Sequence, residues 1–110
     1  MMKIKIELRQ RASDAWAEAV FEDGSVTVLP GGKISETFAE HIRGGRKAKS
    51  YRDNPEYVDC DRNIVKKCIF SSPSTAAQFV TGRSTNGYVA WKADGGKNLG
   101  EVLKAKGLRE

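Results

Sequence analysis

The sequence predicts an α+β fold, with a small antiparallel sheet of about four strands and two or three short helices. Three observations lead to this prediction. Polar and apolar residues alternate from Lys3 to Arg9, which is typical of a half-buried strand. Asp23-Gly24 separates two apolar runs, as in a β-hairpin. The stretch from Phe70 to Lys92, FSSPSTAAQFVTGRSTNGYVAWK, contains signals for the start and the end of a helix.

Length and composition indicate one domain over residues 1–110 with a net charge of +5. No apolar run approaches the roughly 20 residues that cross a membrane, and no apolar region of a secretory signal follows the first residues. We therefore expect a cytoplasmic protein with no membrane contact. In that compartment Cys60 and Cys68 are expected to be two reduced thiols, and a single bridge between them is the alternative.

The first half of the chain predicts three strands and a helix. The strand at 3–9 leads through a polar connection to antiparallel strands at 15–22 and 25–29. A helix beginning after Ser13 is the alternative for the first of these two strands. Ser35 then resembles an N-cap, so we predict a helix over 36–42 that Gly44-Gly45 ends, followed by a basic segment up to Tyr51.

The second half is expected to contain a short strand at about 65–70 and then the best-specified helix of the chain. Ser72 can cap this helix, Pro73 suits its first position, and Gly82 can end it. Asn86-Gly87 predicts a tight turn into a strand at 88–92. A second turn at 94–96 leads to a C-terminal helix whose apolar face contains Leu99, Val102 and Leu103.

Catalytic and metal sites find little support in the sequence. His41 is the single histidine, and no G-x-S-x-G motif frames a nucleophile. Two cysteines and one histidine do not provide the four ligands of a zinc site. We therefore expect no catalytic residue, metal or cofactor. An enzyme or small-ligand protein that pairs Ser72, Ser74 or a cysteine with His41 remains the minor alternative.

Basic and polar residues suggest a contact with a polyanion instead. A run without acidic residues contains Arg43, Arg46, Lys47, Lys49 and Arg52. The N-terminus of the predicted central helix, with Ser72 and Ser74, is a candidate anion site. The further candidates are Arg83, Asn86, Lys92 and one aromatic residue, Trp91 or Tyr88, that could stack on a base. The alternative is structural: a helix cap, a turn, a core tryptophan and a solvated basic loop.

The motif in 70–92 also resembles a known family. Ser72-Pro73-Ser74-Thr75-Ala76-Ala77, Gly82-Arg83, Asn86-Gly87-Tyr88 and Trp91-Lys92 are similar to a bacterial domain-of-unknown-function family found at the C-terminus of GIY-YIG nuclease-type proteins. The resemblance covers about residues 15–103, with Tyr88 where that family often has Trp. It extends to the related restriction-enzyme adenine-methylase-associated (RAMA) domain, which occurs beside restriction and methyltransferase modules.

This resemblance implies a small accessory domain without catalytic residues of its own. The functional hypothesis is a non-enzymatic domain that binds nucleic acid, with double-stranded DNA as the expected partner. The alternative is a protein-interaction or structural domain whose motif only specifies the fold. The oligomeric state is left open by the sequence.

Overall fold

The computed structural model describes residues 3–11, 13–39 and 45–107. Along the chain, its strands and helices are β1 (Lys3–Arg9), β2 (Trp16–Glu22), β3 (Ser25–Val28), α1 (Gly45–Arg52), β4 (Cys68–Phe70), α2 (Pro73–Thr81), α3 (Gly87–Ala90) and α4 (Leu99–Ala105). A short 3₁₀ turn spans Asp94–Gly96. The predicted α+β class is confirmed, with one four-stranded antiparallel sheet and four α-helices in the described part of the chain.

The four strands follow one another in the sheet in the order β1-β2-β3-β4, and every neighbouring pair is antiparallel. The predicted hairpin is confirmed, because Asp23 and Gly24 both have positive φ, 48° and 86°, as a two-residue turn between twisted strands requires. Side chains alternate between two faces of the sheet. One face is buried, and the other is open to solvent and contains Lys5, Val20 and Ile69.

Helix α2 covers the buried face of the sheet. Its Ala76, Ala77, Phe79 and Val80 are fully buried, and the helix contacts β2, β3 and β4. The ends of α2 follow the sequence signals. Ser72 Oγ accepts a hydrogen bond from the Thr75 N–H at 3.2 Å, and Gly82 closes the helix in the left-handed conformation. The prediction of this helix is therefore confirmed, with Ser72 as its N-cap, Pro73 as its first residue and Gly82 at its end.

The predicted helix over 36–42 is wrong for residues 36–39, which form neither helix nor strand. The Ser35 hydroxyl donates to the Thr37 carbonyl at 2.9 Å instead of capping a helix. Two backbone bonds of 2.8 Å, from Ser35 N–H to Val80 O and from Ala39 N–H to Gly82 O, hold this segment along the end of α2. Because these contacts are distant in sequence, local helix signals do not reveal them. Residues 40–42, with His41, lie outside the described residues.

The basic segment, for which a solvated loop was the alternative, forms α1. Gly45 begins this helix. Ala48 is fully buried, and the ring of Tyr51 packs with its centroid 5.2 Å from that of Phe70 and 6.1 Å from that of Phe79. The apolar side of α1 is only two residues wide, so the cations around it hide the helical pattern.

Tyr51 also covers the outer edge of β4. Its hydroxyl accepts a hydrogen bond from the N–H of Ile69 at 3.2 Å and donates to the carbonyl of the same residue at 3.4 Å. Ile69 is the middle residue of this three-residue strand. The phenol of α1 thus takes the place that the backbone of a further strand would occupy.

The predicted strand at 88–92 is the third error. Residues 87–90 form the short helix α3, and Asn86 is its N-cap, with Oδ1 accepting from the Tyr88 N–H at 3.1 Å. The C-terminal helix is confirmed as α4, with Leu99 and Leu103 buried. None of the helices in the described ranges combines the length and apolar character that crossing a bilayer requires.

Candidate functional site

The residues of the 70–92 motif are mostly occupied with one another. Ser74 Oγ accepts a hydrogen bond from the Gly87 N–H at 3.0 Å, and the indole N–H of Trp91 donates to the Pro73 carbonyl at 3.0 Å. Gly87 lies so close to Pro73 that a Cβ at this position would overlap the Pro73 carbonyl. Helix α3 therefore packs against the first turn of α2, and the Ser72 and Ser74 hydroxyls of the anion site predicted there both accept hydrogen bonds within the protein.

Four predicted contact residues consequently hold the fold together. Ser72 caps α2, Asn86 caps α3, and Ser74 joins the two helices. Trp91 is fully buried, so it does not offer a face on which a base could stack. Tyr88, Val89 and Trp91 suit a strand, but residues 87–90 form the helical turn α3, and the indole that follows it is in the core.

The predicted basic run divides into residues with different environments. Arg43 lies outside the described residues. Arg46, Lys47 and Lys49 are exposed on α1. The ammonium of Lys47 lies 5.2 Å from the ring centroid of Tyr51, and Lys49 forms an ion pair of 3.0 Å with Asp53. Arg46 and Lys47 remain available for a polyanion, while Lys49 has a local partner.

Arg52 faces the protein. Its guanidinium donates to both the carbonyl and the hydroxyl of Ser35, to the hydroxyl at 2.7 Å, and to the Thr37 carbonyl at 3.1 Å. It also lies 4.9 Å above the ring of Phe38. Burial lowers the pKa of Arg52 to about 10. Arg52 thus fastens residues 35–38 to α1 through its two terminal nitrogens, while its buried Nε has no hydrogen-bond partner in the described part of the chain.

A groove of about 490 Å³ brings together the two remaining predicted cations, Arg83 and Lys92. It lies between the end of β1, the loop after α2, and α3. Two residues that the sequence analysis missed, Arg9 and Arg11, line it as well. Four cations and no acidic residue therefore line the described part of this groove. Its other polar and apolar lining includes Gln10, Ser84, Thr85 and Val89.

The loop that presents Arg83 is fixed by two threonines. The Thr81 hydroxyl donates to the Ala77 carbonyl at 2.9 Å and lies 3.0 Å from the hydroxyl of Thr85, which donates to the Arg83 carbonyl at 2.9 Å. With the Gln10 amide assigned in the orientation that satisfies both of its ends, its oxygen accepts from Nε and Nη2 of Arg83 at 3.0 and 2.8 Å. An arginine has five N–H donors, so this contact orients the guanidinium and uses only two of them.

Lys92 and Arg9 are placed by backbone pairing at the edge of the sheet. The N–H and the carbonyl of Lys92 pair with the carbonyl and the N–H of Glu7, both at 2.8 Å. The ammonium of Lys92 then donates to the Val89 carbonyl at 2.8 Å. Arg9 follows two residues after Glu7, and its guanidinium lies 5.3 Å from the ring centroid of Trp16. The groove is therefore built on secondary structure and on a hydrogen-bonded loop.

Such a groove is suited to binding anions with two or more phosphate groups. Arginine guanidinium groups and serine or threonine hydroxyls are typical donors to phosphate oxygens. A metal would need other ligands, and in the described ranges no three His, Cys, Asp or Glu residues lie close enough to hold one. Both cysteines are free: Cys60 is exposed, and burial raises the pKa of Cys68 to about 12.

The sequence does contain a signal for the missed residues. Arg9-Gln10-Arg11 places two cations around one amide at the end of β1. The sequence predicts Arg9 on the polar face of the first strand and Arg11 in the polar connection that follows, and charged residues are common in both places. Its importance depends on Arg83, more than 70 positions further along the chain.

Comparison with known families identifies a family for the chain but not an activity. The model of the family described as Domain of unknown function (DUF4357) matches residues 8–103. The chain belongs to this family. The matched range includes all four cations of the groove. No curated protein and no solved structure matches the chain.

Proposed function

We propose that this member of the family is a non-enzymatic accessory domain that binds DNA through the basic groove. One observation carries the proposal: Arg9, Arg11, Arg83 and Lys92 line one groove in which the described residues include no acidic side chain. A chain with 19 basic and 14 acidic residues would place some acidic side chains in most grooves of this size if charges were mixed evenly.

The groove explains how a DNA backbone would be held. Arg83 is oriented by Gln10, and Lys92 by the Val89 carbonyl, so both cations lose little conformational freedom on binding. The exposed hydroxyl of Ser84 adds a donor for phosphate oxygens. Arg46 and Lys47 on α1 lie outside the groove and face solvent. They are the residues for a second contact with the phosphate backbone of the DNA.

The biological setting is part of the proposal. The similarity of residues 70–92 to domains that follow GIY-YIG nucleases and to the RAMA domain supports a bacterial, cytoplasmic role beside restriction or modification enzymes. In this setting the domain would recruit a partner enzyme to DNA, or distinguish modified DNA, while the partner performs the chemistry.

The test is the binding of a short fluorescent duplex, adenine-methylated and unmethylated, measured by anisotropy at several salt concentrations. With two to four phosphates neutralised, affinity should fall about 10- to 150-fold between about 50 and 200 mM salt. Arg83→Ala should weaken binding to both duplexes and reduce the salt slope by about 1. Tighter binding of the methylated duplex would show in addition that the domain distinguishes modified bases.

Lys3→Ala is the control for Arg83→Ala, because it also removes one positive charge but lies outside the groove. Lys3 is about 20 Å from Arg9, the groove residue at the other end of β1, at about 3.3 Å per residue. Lys3→Ala should therefore change the duplex affinity less than about twofold. Affinity that does not depend on salt, or equal losses in both variants, would contradict binding through the groove.

A protein-interaction domain is the second candidate, and exposed apolar residues favour it. Val65 and Ile69 are 45% and 58% exposed, and neither lines the basic groove. Single exposed apolar side chains are common, however, so this observation is weaker than the clustered cations. Retention of a host protein at high salt, with no affinity for DNA, would favour this candidate.

A further inference from the structure

An indole lies between two cations on the open face of the sheet. Arg9 of β1 is directly opposite Trp16 of β2, and Trp16 is in turn opposite Lys33 through an isolated bridge. Residues directly opposite on antiparallel strands project to the same face, with Cβ atoms about 4.5–5.5 Å apart. Arg9, Trp16 and Lys33 therefore form a cation–indole–cation row, which we call the Trp16 row.

Trp16 differs from the other tryptophan of the chain in its access to solvent. Trp91 is fully buried, whereas Trp16 is partly exposed, with the Arg9 guanidinium 5.3 Å from its ring centroid. Two carboxylates, Glu7 and Glu18, lie opposite one another two residues along the same face, and the carboxylate of Asp14 pairs with Lys33 at 3.4 Å and with Arg62 at 3.1 Å. Exposed ion pairs of this kind are weak, so they leave Lys33 able to contact another anion.

Arg9 connects this row to the basic groove, because it belongs to both. A DNA strand whose phosphates lie in the groove would thus pass directly beside the Trp16 row. Indole rings and guanidinium planes are the surfaces on which proteins stack nucleobases. The cations on either side of the ring are complementary to the phosphates that flank a stacked base.

We propose that the Trp16 row binds an unpaired nucleobase of a DNA strand, with the base stacked on the indole of Trp16 or on the guanidinium of Arg9. The proposal rests on the proposed function, since the groove must hold the neighbouring phosphates. The ligand is a single-stranded segment or a strand end. Within a duplex the flat faces of the bases are covered by their neighbours, so a blunt duplex can occupy the groove but not the row.

Tryptophan fluorescence tests this inference directly, because the chain has only two tryptophans and one of them is fully buried. The probe is single-stranded DNA of about ten nucleotides, within the range of about 4–16 that small single-strand domains bind. It should quench the emission of the wild-type protein, and a blunt duplex of equal length should quench it much less. In Trp16→Phe, where only Trp91 emits, the quenching should disappear.

Affinity for the same labelled single strand provides the second measurement. Trp16→Ala should bind at least about fivefold more weakly, as is typical for the loss of one stacking aromatic residue. Val20→Ala is the matched control, because Val20 lies on the same strand and the same face, four residues along. Its affinity should stay within about twofold of the wild type.

The outcomes separate the two proposals. If single strands bind with strong salt dependence, but without quenching and with equal affinity in Trp16→Phe and the wild type, the Trp16 row is not the base site and the groove proposal stands. If neither single strands nor duplexes bind at low salt, the proposed function itself fails. Because the quenching is measured in the wild type, poor folding of Trp16→Ala does not prevent a decision.

Discussion

Replacing Trp91 by phenylalanine should destabilise the domain more than the same replacement at the other tryptophan of the chain. The indole is fully buried, and its N–H donates to the Pro73 carbonyl at 3.0 Å, which ties the chain after α3 to the first turn of α2. Phenylalanine keeps most of the apolar contact but loses this hydrogen bond. It also leaves space where the second ring was.

The expected loss follows from three contributions. A typical buried hydrogen bond contributes about 1 kcal/mol, and the Pro73 carbonyl, as the first of a helix, can still accept from the Ala77 N–H. The missing volume, roughly 40 Å³ at about 24 cal/mol per Å³, adds about 1 kcal/mol, and the lost apolar area adds a similar amount. We therefore expect Trp91→Phe to lower the free energy of unfolding by about 2–3 kcal/mol.

Urea unfolding followed by circular dichroism measures this loss, and a thermal scan should show a Tm lower by about 8–20 °C. Trp16→Phe is the control, because Trp16 is partly exposed and loses mainly its contact with Arg9, at a cost below about 1 kcal/mol. If Trp91→Phe changes the free energy of unfolding by less than Trp16→Phe does, the buried indole contact with Pro73 does not have the role that we assign to it.

Two further predictions concern titratable groups. Hydrogen bonds from Arg62 lower the pKa of Asp14 below its ordinary 3.8. Its stabilising effect should thus be present above pH 3.8 and be lost as the pH falls through the lower folded pKa. The wild type should therefore have a higher Tm than Asp14→Asn near pH 6, and this difference should disappear by about pH 2. A Tm difference that is unchanged at low pH would refute the role of the Asp14 carboxylate. In a titration with Ellman's reagent, the exposed Cys60 should react in the native protein, while Cys68, buried and with a pKa of about 12, should react only after unfolding. Two thiols reacting at the same rate in the native protein would contradict the burial of Cys68.

Local sequence signals were sufficient wherever an element is defined by its own residues. The alternation in β1, the Asp23-Gly24 turn and the caps of α2 each follow from side chains within a few positions of the backbone that they shape. These local signals failed where a contact with residues distant in sequence determines the secondary structure. Asn86-Gly87 suits a tight turn as well as a helix start. The helix forms because Gly87 and Trp91 pack on Pro73, 14 and 18 positions earlier.

The site shows the same limitation more strongly. Arg83 and Lys92 were predicted, but their partners Arg9 and Arg11 come from the other end of the chain, and only the sheet edge at Glu7 brings them together. The serine, asparagine and tryptophan residues of the motif attracted a functional interpretation because polar and aromatic residues are typical of binding sites. Their hydrogen-bonding capacity proved to be used between α2, α3 and the core.

The position of Tyr51 on the edge of β4 has a consequence for how such a domain can be joined to other modules. An uncovered edge strand invites the strand of a neighbouring chain, which leads to fusion of sheets and to aggregation. The phenol occupies the outward N–H and carbonyl of Ile69 and closes the sheet on this side without a further strand. Because this edge strand is covered, the domain can be attached beside a partner that contains its own sheet, or be present at high concentration, without pairing of strands between the two sheets at this edge.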